Sequence, residues 1–341
     1  MLTCRSPFRI SYFGGGTDFP EWYNRNDKGL VISTTIDKYC YVLLRTLPPF
    51  FSFNYRLRYF NTETVKKINQ IKHPTIKNIL QKYHHSKKGL EIIHYADLPA
   101  LSGLGASSSF TNCLLSSIHK YNKIEISKKK LAQQSVFVEK NLLGENCGLQ
   151  DQYASAYGGF NQIIFKKKDI SIKQLLISKE KKKILENNTL IFFTGISRKA
   201  NNIEKNKIKT LDKNIIYYEQ IYELAKEAKK IFLRKNNESF LKYIAELLNE
   251  SWKLKKELSS GVSNFYINNI YNFGLKNGAI AGKILGAGGG GFIMFLTKNS
   301  LQKRKLVKSL SKFINVDFKF EDKGTKIINN KIDDYKQFKK F

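Results

Sequence analysis

Residues suited to chemistry are concentrated in three glycine-rich segments, the first of which reads RSPFRISYFGGGTD from Arg5 to Asp18. Three consecutive glycines destabilise regular secondary structure, so Gly14, Gly15 and Gly16 predict a backbone that turns sharply or approaches a ligand closely. The aspartate that follows them can accept hydrogen bonds from the vicinal hydroxyls of a sugar. A glycine-rich turn closed by a capping aspartate is the structural alternative.

The second segment, PALSGLGASSS, spans residues 99–109 and leads into an apolar stripe at helical spacing. Its small residues allow backbone N–H groups to converge on an anion at the start of a helix, where the helix dipole favours phosphate. A serine hydroxyl in the first turn is also the kind of oxygen ligand that Mg²⁺ accepts. A serine-rich helix cap without a ligand is the alternative.

The third segment, GAGGGGF over residues 286–292, formally fits the pattern GxGxxG. A dinucleotide-binding fingerprint follows a strand, opens a helix and has an acidic residue about 20 positions further on. This segment instead opens an apolar strand, so an NAD-linked dehydrogenase is the least favoured class. A glycine-rich hairpin that brings the backbone close to a substrate or phosphate explains it better.

Two carboxylates, Glu139 and Asp151, lie between the second and third segments. Glu139 falls on a predicted helix that Ser127 caps and Gly144 ends, and Asp151 lies on the turn beyond it. One carboxylate on a helix and another on the next turn can face a single site, although ion pairs at the surface are the usual fate of such residues.

The elements that must position these residues are strands and helices in both halves of the chain. The strands are predicted at 31–45, 90–99, 160–166, 188–195, 290–297 and 316–321. Beyond the helix after the second segment and the one carrying Glu139, helices are predicted near 213–234, 238–257, 264–277 and 300–314. Mixed helices and strands in both halves predict two packed α+β domains.

Together and in this order, RSPFRISYFGGGTD, PALSGLGASSS, GLQDQYASAYGG and GAGGGGF resemble the motifs of the GHMP small-molecule kinases. Within that superfamily the chain is most similar to the kinases of D-glycero-D-manno-heptose 7-phosphate, through GGGTD, DQYA, TGISRKANNIE and SWKLKKE. The resemblance covers nearly the whole chain. It implies an α+β fold with an N-terminal ATP-binding domain over 1–178, a ferredoxin-like C-terminal domain over 179–341, and an active site in the cleft between them.

The resemblance also implies roles for individual residues. Asp151 would be the general base, or would orient the reacting hydroxyl, and Arg9 would stabilise both Asp151 and the transferring phosphoryl group. Ser107 and Glu139 would hold Mg²⁺. Ser108 is the reserve, because Ala106 and Leu101 depart from the pattern of many relatives. The residues implied to surround the ATP phosphates are Gly103, Leu104, Gly105, Ala106, Ser107, Ser108 and Ser109.

The sugar is expected to contact the first and third segments. The residues assigned to it there are Gly14, Gly15, Gly16, Thr17, Asp18, Gly288, Gly289 and Gly290. A sugar that already carries a phosphate at its far end needs further cationic contacts, for which Arg198 and Lys199 are the candidates and plain surface charge is the alternative. Transfer to the anomeric hydroxyl would give a 1,7-bisphosphate, on the route to a nucleotide-activated heptose. A kinase of an unphosphorylated sugar, of the galactose or fucose type, is the nearest rival.

Composition limits the classes of protein that remain. Among 341 residues, 42% are hydrophobic and 26% charged, which excludes a disordered or collagen-like chain. Lys and Arg number 59 against 28 Asp and Glu, a net charge of +31 that attracts polyanions. A basic nucleic-acid-binding protein is therefore the rival from another class. We expect no nucleic-acid partner, because most of the charge is scattered lysine, whereas such sites favour arginine and stacking aromatics on one face.

The cysteines and the lack of a recognisable targeting signal indicate in which cellular compartment the protein is expected. The four cysteines lie far apart, without a CxxC pair or zinc-ligand spacing, and are expected to be reduced, packed thiols. The sequence shows no secretory signal and no apolar run of about 20 residues. We therefore expect a cytoplasmic protein without a membrane partner, and the sequence leaves a homodimer open.

Overall fold

The computed structural model describes residues 1–196, 201–235 and 239–331, which form two β-sheets and the helices around them. The strands are β1 (Leu2–Phe13), β2 (Gly29–Thr46), β3 (Tyr55–Arg58), β4 (Thr62–Val65), β5 (Leu90–Ala96), β6 (Phe160–Phe165), β7 (Ile170–Gln174), β8 (Thr189–Phe193), β9 (Ala279–Ile284), β10 (Phe292–Thr297), β11 (Ile314–Asn315), β12 (Phe320–Glu321) and β13 (Lys326–Asn330). The helices are α1 (Pro20–Asn26), α2 (Pro74–Tyr83), α3 (Ala106–Tyr121), α4 (Lys128–Val136), α5 (Gln150–Tyr157), α6 (Lys179–Asn188), α7 (Asn201–Lys209), α8 (Ile215–Leu233), α9 (Phe240–Glu257), α10 (Phe265–Lys276) and α11 (Ser300–Ser309).

The first sheet is built around the long strand β2. One side of β2 pairs with β1 in antiparallel register, from Leu2 opposite Leu44 to Phe13 opposite Ile32. On its other side, the first half of β2 pairs with β6 and the second half with β5. Helix α3 packs against β1 and β2 with a nearly continuous buried face, as the apolar stripe predicts. This packing fixes the start of α3 over the middle of β1.

The second sheet has the strand order β11-β8-β10-β9, with every neighbouring pair antiparallel. In chain order this is a 4-1-3-2 arrangement, which is the ferredoxin-like topology that the family resemblance implies. Its core holds Phe192, Ile293 and Phe295 together with Leu306 of α11. The α+β class and the ferredoxin-like C-terminal sheet are both confirmed.

The last part of the chain returns to the first sheet. The predicted strand at 316–321 is wrong as a single element, because only residues 320–321 of it form a strand, β12, which pairs with β2 of the first sheet. At the other end of the range, the N–H of Val316 donates to the carbonyl of Ile191 on β8 of the second sheet. The alternation of apolar residues is real, but the chain crosses between sheets within it. Strand β13 then pairs with β1. Residues 320–330 therefore belong to the first sheet by their strand pairing. That the N-terminal domain ends near residue 178 remains a proposal.

The other predicted elements agree with the structure to within a few residues, apart from the shorter strand at 90–96 and the shorter helix at 300–309. Ser127 caps α4, because its Oγ accepts a hydrogen bond from the backbone N–H of Lys130 at 3.2 Å. The four cysteines are free. In the described part of the chain, no helix is both long and apolar enough to cross a membrane.

Candidate active site

Arg9 and Asp151, far apart in sequence, form a bidentate ion pair. The Arg9 Nε lies 2.6 Å from Asp151 Oδ1, and a terminal guanidinium nitrogen lies 2.8 Å from Oδ2. Arg9 is almost fully buried, whereas the Asp151 side chain is 23% exposed. Such a planar pair fixes the orientation of the carboxylate. One face of Asp151 therefore remains available to a ligand.

The second glycine-rich segment holds Arg9 from the other side. The remaining guanidinium nitrogen of Arg9 donates to the carbonyl of Gly103 at 2.6 Å, and its backbone N–H donates to Leu104 at 3.0 Å. Gly105, the residue before α3, has φ of +77°, and a Cβ there would lie 3.3 Å from Asp151 Oδ2. The carboxylate thus lies beside the start of α3, as the kinase hypothesis requires.

A cavity of about 510 Å³ opens between the two sheets and contains this pair. Among the residues predicted to bind phosphate, Gly103, Gly105, Ala106 and Ser107 line it. The first N–H groups of α3 lack partners within the helix and form a site for an anion.

Three predicted phosphate ligands have side chains directed elsewhere. Leu104 is buried in the core, and the Ser109 hydroxyl donates to the carbonyl of Pro7 at 2.8 Å. The Ser108 hydroxyl donates to Glu139 Oε2 at 2.9 Å. Ser107, the serine predicted to hold Mg²⁺ together with Glu139, is exposed and lines the cavity. It does not share the direction of Ser108, since adjacent residues on a helix point about 100° apart.

Glu139 lies on a π-helical turn, Phe137–Leu142, that continues α4. Such turns are rare and frequently occur at functional sites. Burial, followed by repulsion from Glu145, raises the pKa of Glu139 to about 8. Its Oε1 atom is buried without a hydrogen-bond partner.

These oxygens fit a hard divalent cation. Ligand atoms of Glu139 and Glu145 lie within 4.8 Å of one another, and Glu145 and Ser107 line the cavity. Carboxylate and hydroxyl oxygens are ligands that Mg²⁺ accepts, and a cation between the two carboxylates would offset both their repulsion and the unpartnered oxygen. The fit depends on Glu139 and Glu145 rather than on the thiol of Cys147, which is a soft ligand.

The first glycine-rich segment places Asp18 at the cavity wall. Asp18 accepts hydrogen bonds from the backbone of Gly16 at 2.8 Å and from the backbone and side chain of Gln150 at 3.2 and 3.1 Å. Burial is the main cause of its raised pKa, and the nearby charge of Asp151 adds to it. Gly15, Gly16 and Asp18 line the cavity.

Two predicted sugar ligands in this segment have a structural role instead. Thr17 is fully buried, and its hydroxyl donates to the carbonyls of Gly14 and Leu30. Gly14 has φ of +84°, and a Cβ there would overlap the Leu30 carbonyl oxygen at 1.7 Å. These residues shape the turn that carries Asp18 and do not line the cavity.

The third segment forms the hairpin between β9 and β10, as predicted, but the glycines assigned to the sugar do not line the cavity. Gly288 packs against Val262, Gly290 packs against Ile196, and the N–H of Gly289 donates to the carbonyl of Val262. All three glycines are buried in these contacts, so the hairpin presents Gly286 and Ala287 to the cavity instead. Arg198 and Lys199 lie outside the described residues.

Three lysines for which the sequence suggested no role line the same cavity and are at most 7% exposed: Lys207, Lys255 and Lys283. Lys255 belongs to the motif SWKLKKE, which carries the resemblance but suggested no role. Lys207 and Lys283 lie in segments with many other lysines and had no distinguishing signal.

One cavity holds an anion site at a helix start and an aspartate held by arginine, and its wall includes Glu145, whose carboxylate lies beside that of the buried Glu139. This is the arrangement of a small-molecule kinase. Comparisons with known proteins agree. The model of the GHMP kinases N terminal domain matches residues 68–159, and that of the GHMP kinases C terminal matches residues 220–316.

Three proteins are similar over almost the whole chain. A D-glycero-alpha-D-manno-heptose 7-phosphate kinase of Campylobacter jejuni is 30% identical over 95% of this chain and 98% of its own length. A D-glycero-D-manno-heptose 1-phosphate kinase of Bacteroides thetaiotaomicron superposes with a TM-score of 0.79 at 23% identity, covering 97% of this chain and all of that one. A putative sugar kinase of Campylobacter jejuni superposes with a TM-score of 0.67 at 26% identity, covering 96% and 97%. The chain belongs to the GHMP kinase family, and it is an ATP-dependent sugar kinase.

Proposed function

We propose that this kinase phosphorylates D-glycero-D-manno-heptose 7-phosphate on its anomeric hydroxyl and releases the 1,7-bisphosphate. The observation that carries the proposal is the single cavity in which Asp18 and the pair of Asp151 and Arg9 face the start of α3. Similarity over nearly full length to a heptose 7-phosphate kinase supports the choice of sugar. The product would enter the synthesis of a nucleotide-activated heptose.

Asp151 acts on the reacting hydroxyl, either as general base or by orienting it. Phosphoryl transfer demands in-line positioning and charge stabilisation and requires no covalent nucleophile from the protein. The bidentate contact with Arg9 holds the carboxylate in one orientation while leaving part of it open to the cavity. Arg9 also contributes positive charge near the transferred phosphoryl group.

The ATP phosphates bind at the N–H groups that begin α3, around Gly103 to Ser107. Mg²⁺, held by Glu139 with Ser107 and Glu145 as further oxygen ligands, would neutralise charge on the β- and γ-phosphates. Ser108 keeps Glu139 oriented through its hydrogen bond. Asp18 accepts hydrogen bonds from sugar hydroxyls, aided by the backbone of Gly15 and Gly16.

We place the reaction in the cytoplasm, with ATP and a sugar phosphate as partners rather than nucleic acid or membrane. The direct test is ATP consumption by the purified protein against heptose 7-phosphate, galactose, fucose and mevalonate, each with and without Mg²⁺. Mg²⁺-dependent turnover that is fastest on heptose 7-phosphate is the expected result. Preferential turnover of an unphosphorylated sugar would replace the proposed substrate while retaining the family.

A further inference from the structure

Three buried ammonium groups surround one end of the cavity. Lys283 on β9 donates to the carbonyl of Tyr12 at 2.8 Å, which joins the second sheet to β1. Lys255 on α9 donates to the carbonyls of Ile284 at 3.1 Å and Gly286 at 2.6 Å. Lys207 on α7 donates to the carbonyl of Ala287 at 2.8 Å. Three different elements thus direct cations to the same place.

The positive charge of this cluster is only partly compensated. Lys207 forms an ion pair with Glu204 at 3.3 Å, but among the described residues neither Lys255 nor Lys283 has a carboxylate partner. Their observed partners are backbone carbonyls, and these leave at least one N–H of Lys255 and two of Lys283 without a partner there. Burying an ammonium group without an opposite charge is costly, so its retention beside a cavity points to an anionic ligand.

The energetic cost is visible in the protonation equilibria. Burial, followed by the charges of Arg9 and Lys207, lowers the pKa of Lys283 to about 7. Burial also lowers the pKa of Lys255 well below its usual value; the charges of Lys283 and Lys207 lower it further, and the charge of Glu204 offsets part of this effect. A doubly charged anion between these groups would remove the mutual repulsion of the cations.

We propose that Lys255 and Lys283, assisted by Lys207, bind the phosphate that the sugar already carries before it is phosphorylated. The proposal rests on the proposed function, because it assigns a second phosphate to the acceptor. It gives to these lysines the role that the sequence analysis assigned to Arg198 and Lys199.

The cluster lies on the sugar side of the cavity. Lys283 is bonded to Tyr12, two residues before the glycine turn that leads to Asp18. Glu204, the partner of Lys207, is close enough to Asp18 to contribute to its raised pKa. Gly286, whose carbonyl accepts from Lys255, packs against Gly103, since a Cβ on Gly286 would lie 2.5 Å from Gly103 Cα. Lys207 and Lys283, rather than Lys255, are therefore the lysines that mark the sugar side. Because Lys283 and the ion pair of Lys207 with Glu204 adjoin the segment that carries Asp18, the far end of a sugar bound between Asp18 and Asp151 would lie near these lysines.

Steady-state kinetics of Lys255→Met and Lys283→Met test the assignment. The matched control is Lys253→Met, which removes a 70% exposed lysine from the same helix as Lys255. We expect the KM for heptose 7-phosphate to rise about 10- to 100-fold in each buried-site variant, because a charge-assisted hydrogen bond to phosphate is lost. The KM for ATP and the kcat/KM for unphosphorylated heptose should change less than about twofold.

The same variants distinguish the two possible phosphates. A rise in the KM for ATP, or an equal loss with phosphorylated and unphosphorylated heptose, would assign the lysines to the γ-phosphate and overturn the proposal. Two independent variants are used because either substitution alone could disturb folding, which a thermal melt of each protein checks.

A binding measurement separates this proposal from the proposed function. Isothermal titration with inorganic phosphate is performed on the wild-type protein saturated with Mg²⁺ and a non-hydrolysable ATP analogue. Binding that disappears in both Lys→Met variants but persists in Lys253→Met supports the subsite, even if heptose 7-phosphate is not turned over. Failure of the wild-type protein to bind phosphate, or undiminished binding by the variants, contradicts it.

Discussion

At the scale of residues, the site depends on a few side chains whose orientation other side chains fix. Asp151 accepts hydrogen bonds from Nε and one terminal nitrogen of the Arg9 guanidinium, and Glu139 accepts hydrogen bonds from Ser108 and Gln152. Each carboxylate would otherwise rotate, and phosphoryl transfer is sensitive to displacement of about 1 Å. Ser108 and Gln152 would therefore affect the reaction only by positioning Glu139, whereas Arg9 both orients Asp151 and carries positive charge into the cavity.

Replacing Asp151 by Asn should leave a folded protein that binds ATP but reacts slowly. The amide keeps a hydrogen bond to Arg9 but cannot accept a proton, so kcat should fall by about 10² to 10⁴. The measurement is steady-state turnover alongside a thermal melt and titration with an ATP analogue. Kinetics close to those of the wild type would remove Asp151 from the mechanism.

Replacing Glu139 by Gln should weaken the dependence on Mg²⁺. A buried anionic ligand becomes neutral while its hydrogen bond to Ser108 can persist, so the Mg²⁺ concentration for half-maximal rate should rise about 10- to 100-fold. Ser108→Ala, which removes only the orienting hydroxyl, should give a smaller increase of the same kind. An unchanged Mg²⁺ requirement in Glu139→Gln would place the metal elsewhere.

At the scale of elements, three glycine segments of similar composition do different things. The first forms a turn that carries Asp18, the second begins α3, and the third is a buried hairpin between β9 and β10. The last two touch each other: the N–H of Phe292 donates to the carbonyl of Ser102 at 3.0 Å. The absence of side chains there allows the two sheets to meet at the cavity.

This contact predicts that Gly103→Ala destabilises the protein by more than backbone strain alone would. Gly103 and Gly195 have nearly equal φ values of +82° and +80°, so alanine strains both by about 1 kcal/mol. A Cβ at Gly103 would also lie 2.5 Å from the Leu285 carbonyl oxygen, whereas one at Gly195 meets nothing within 4 Å. Gly103→Ala should therefore lose more thermal stability and raise the KM for ATP, and equal effects of the two substitutions would contradict this.

At the scale of the whole molecule, the site exists only because the two sheets are packed together. Arg9 comes from β1, Asp151 from α5, and Lys283 from the second sheet, and the hydrogen bond of Lys283 to Tyr12 crosses between them. Strands β12 and β13 also return to the first sheet, where the hydroxyls of Ser6 and Thr325 lie 2.8 Å apart. The chain thus crosses the cleft more than once.

Burial of Lys283 at this junction predicts a specific dependence of stability on pH. Its folded-state pKa of about 7 lies below the 10.5 of the unfolded chain. Between these values the unfolded chain holds a proton that the folded protein lacks, so the contribution of Lys283 to stability becomes less unfavourable as pH rises. Below pH 7 the full penalty is present. Arg9, Lys207 and Lys255 are the charged groups facing it.

Lys283→Met should therefore be more stable than the wild type at pH 7, by about 2 kcal/mol after allowance for the lost hydrogen bond to Tyr12. The difference should shrink as pH approaches 10.5. Denaturant unfolding across this range measures it, with the exposed Lys253→Met as control. A difference that is constant with pH would show that the lysine is not strained by its burial.

The sequence by itself determined the ordered glycine segments, the helical and strand periodicities, and the family they indicate. Those features are local, because a turn, a cap or an apolar stripe depends on residues that are close together in the sequence. It therefore predicted Asp151, Arg9, Asp18 and the start of α3. It could not predict that the chain crosses between sheets within 316–321, where the alternation of apolar residues is the same on either sheet.

Only the tertiary structure decided which hydroxyl meets Glu139, which glycines reach the cavity, and which lysines are buried. Ser107 and Ser108 are chemically identical and differ only in direction on α3. Lys207, Lys255 and Lys283 are indistinguishable in sequence from dozens of surface lysines. Their significance arises from burial by residues of β1, α7, α9 and β9. Only when it is enclosed in this way does an ammonium group lose its hydration and interact strongly with neighbouring charges.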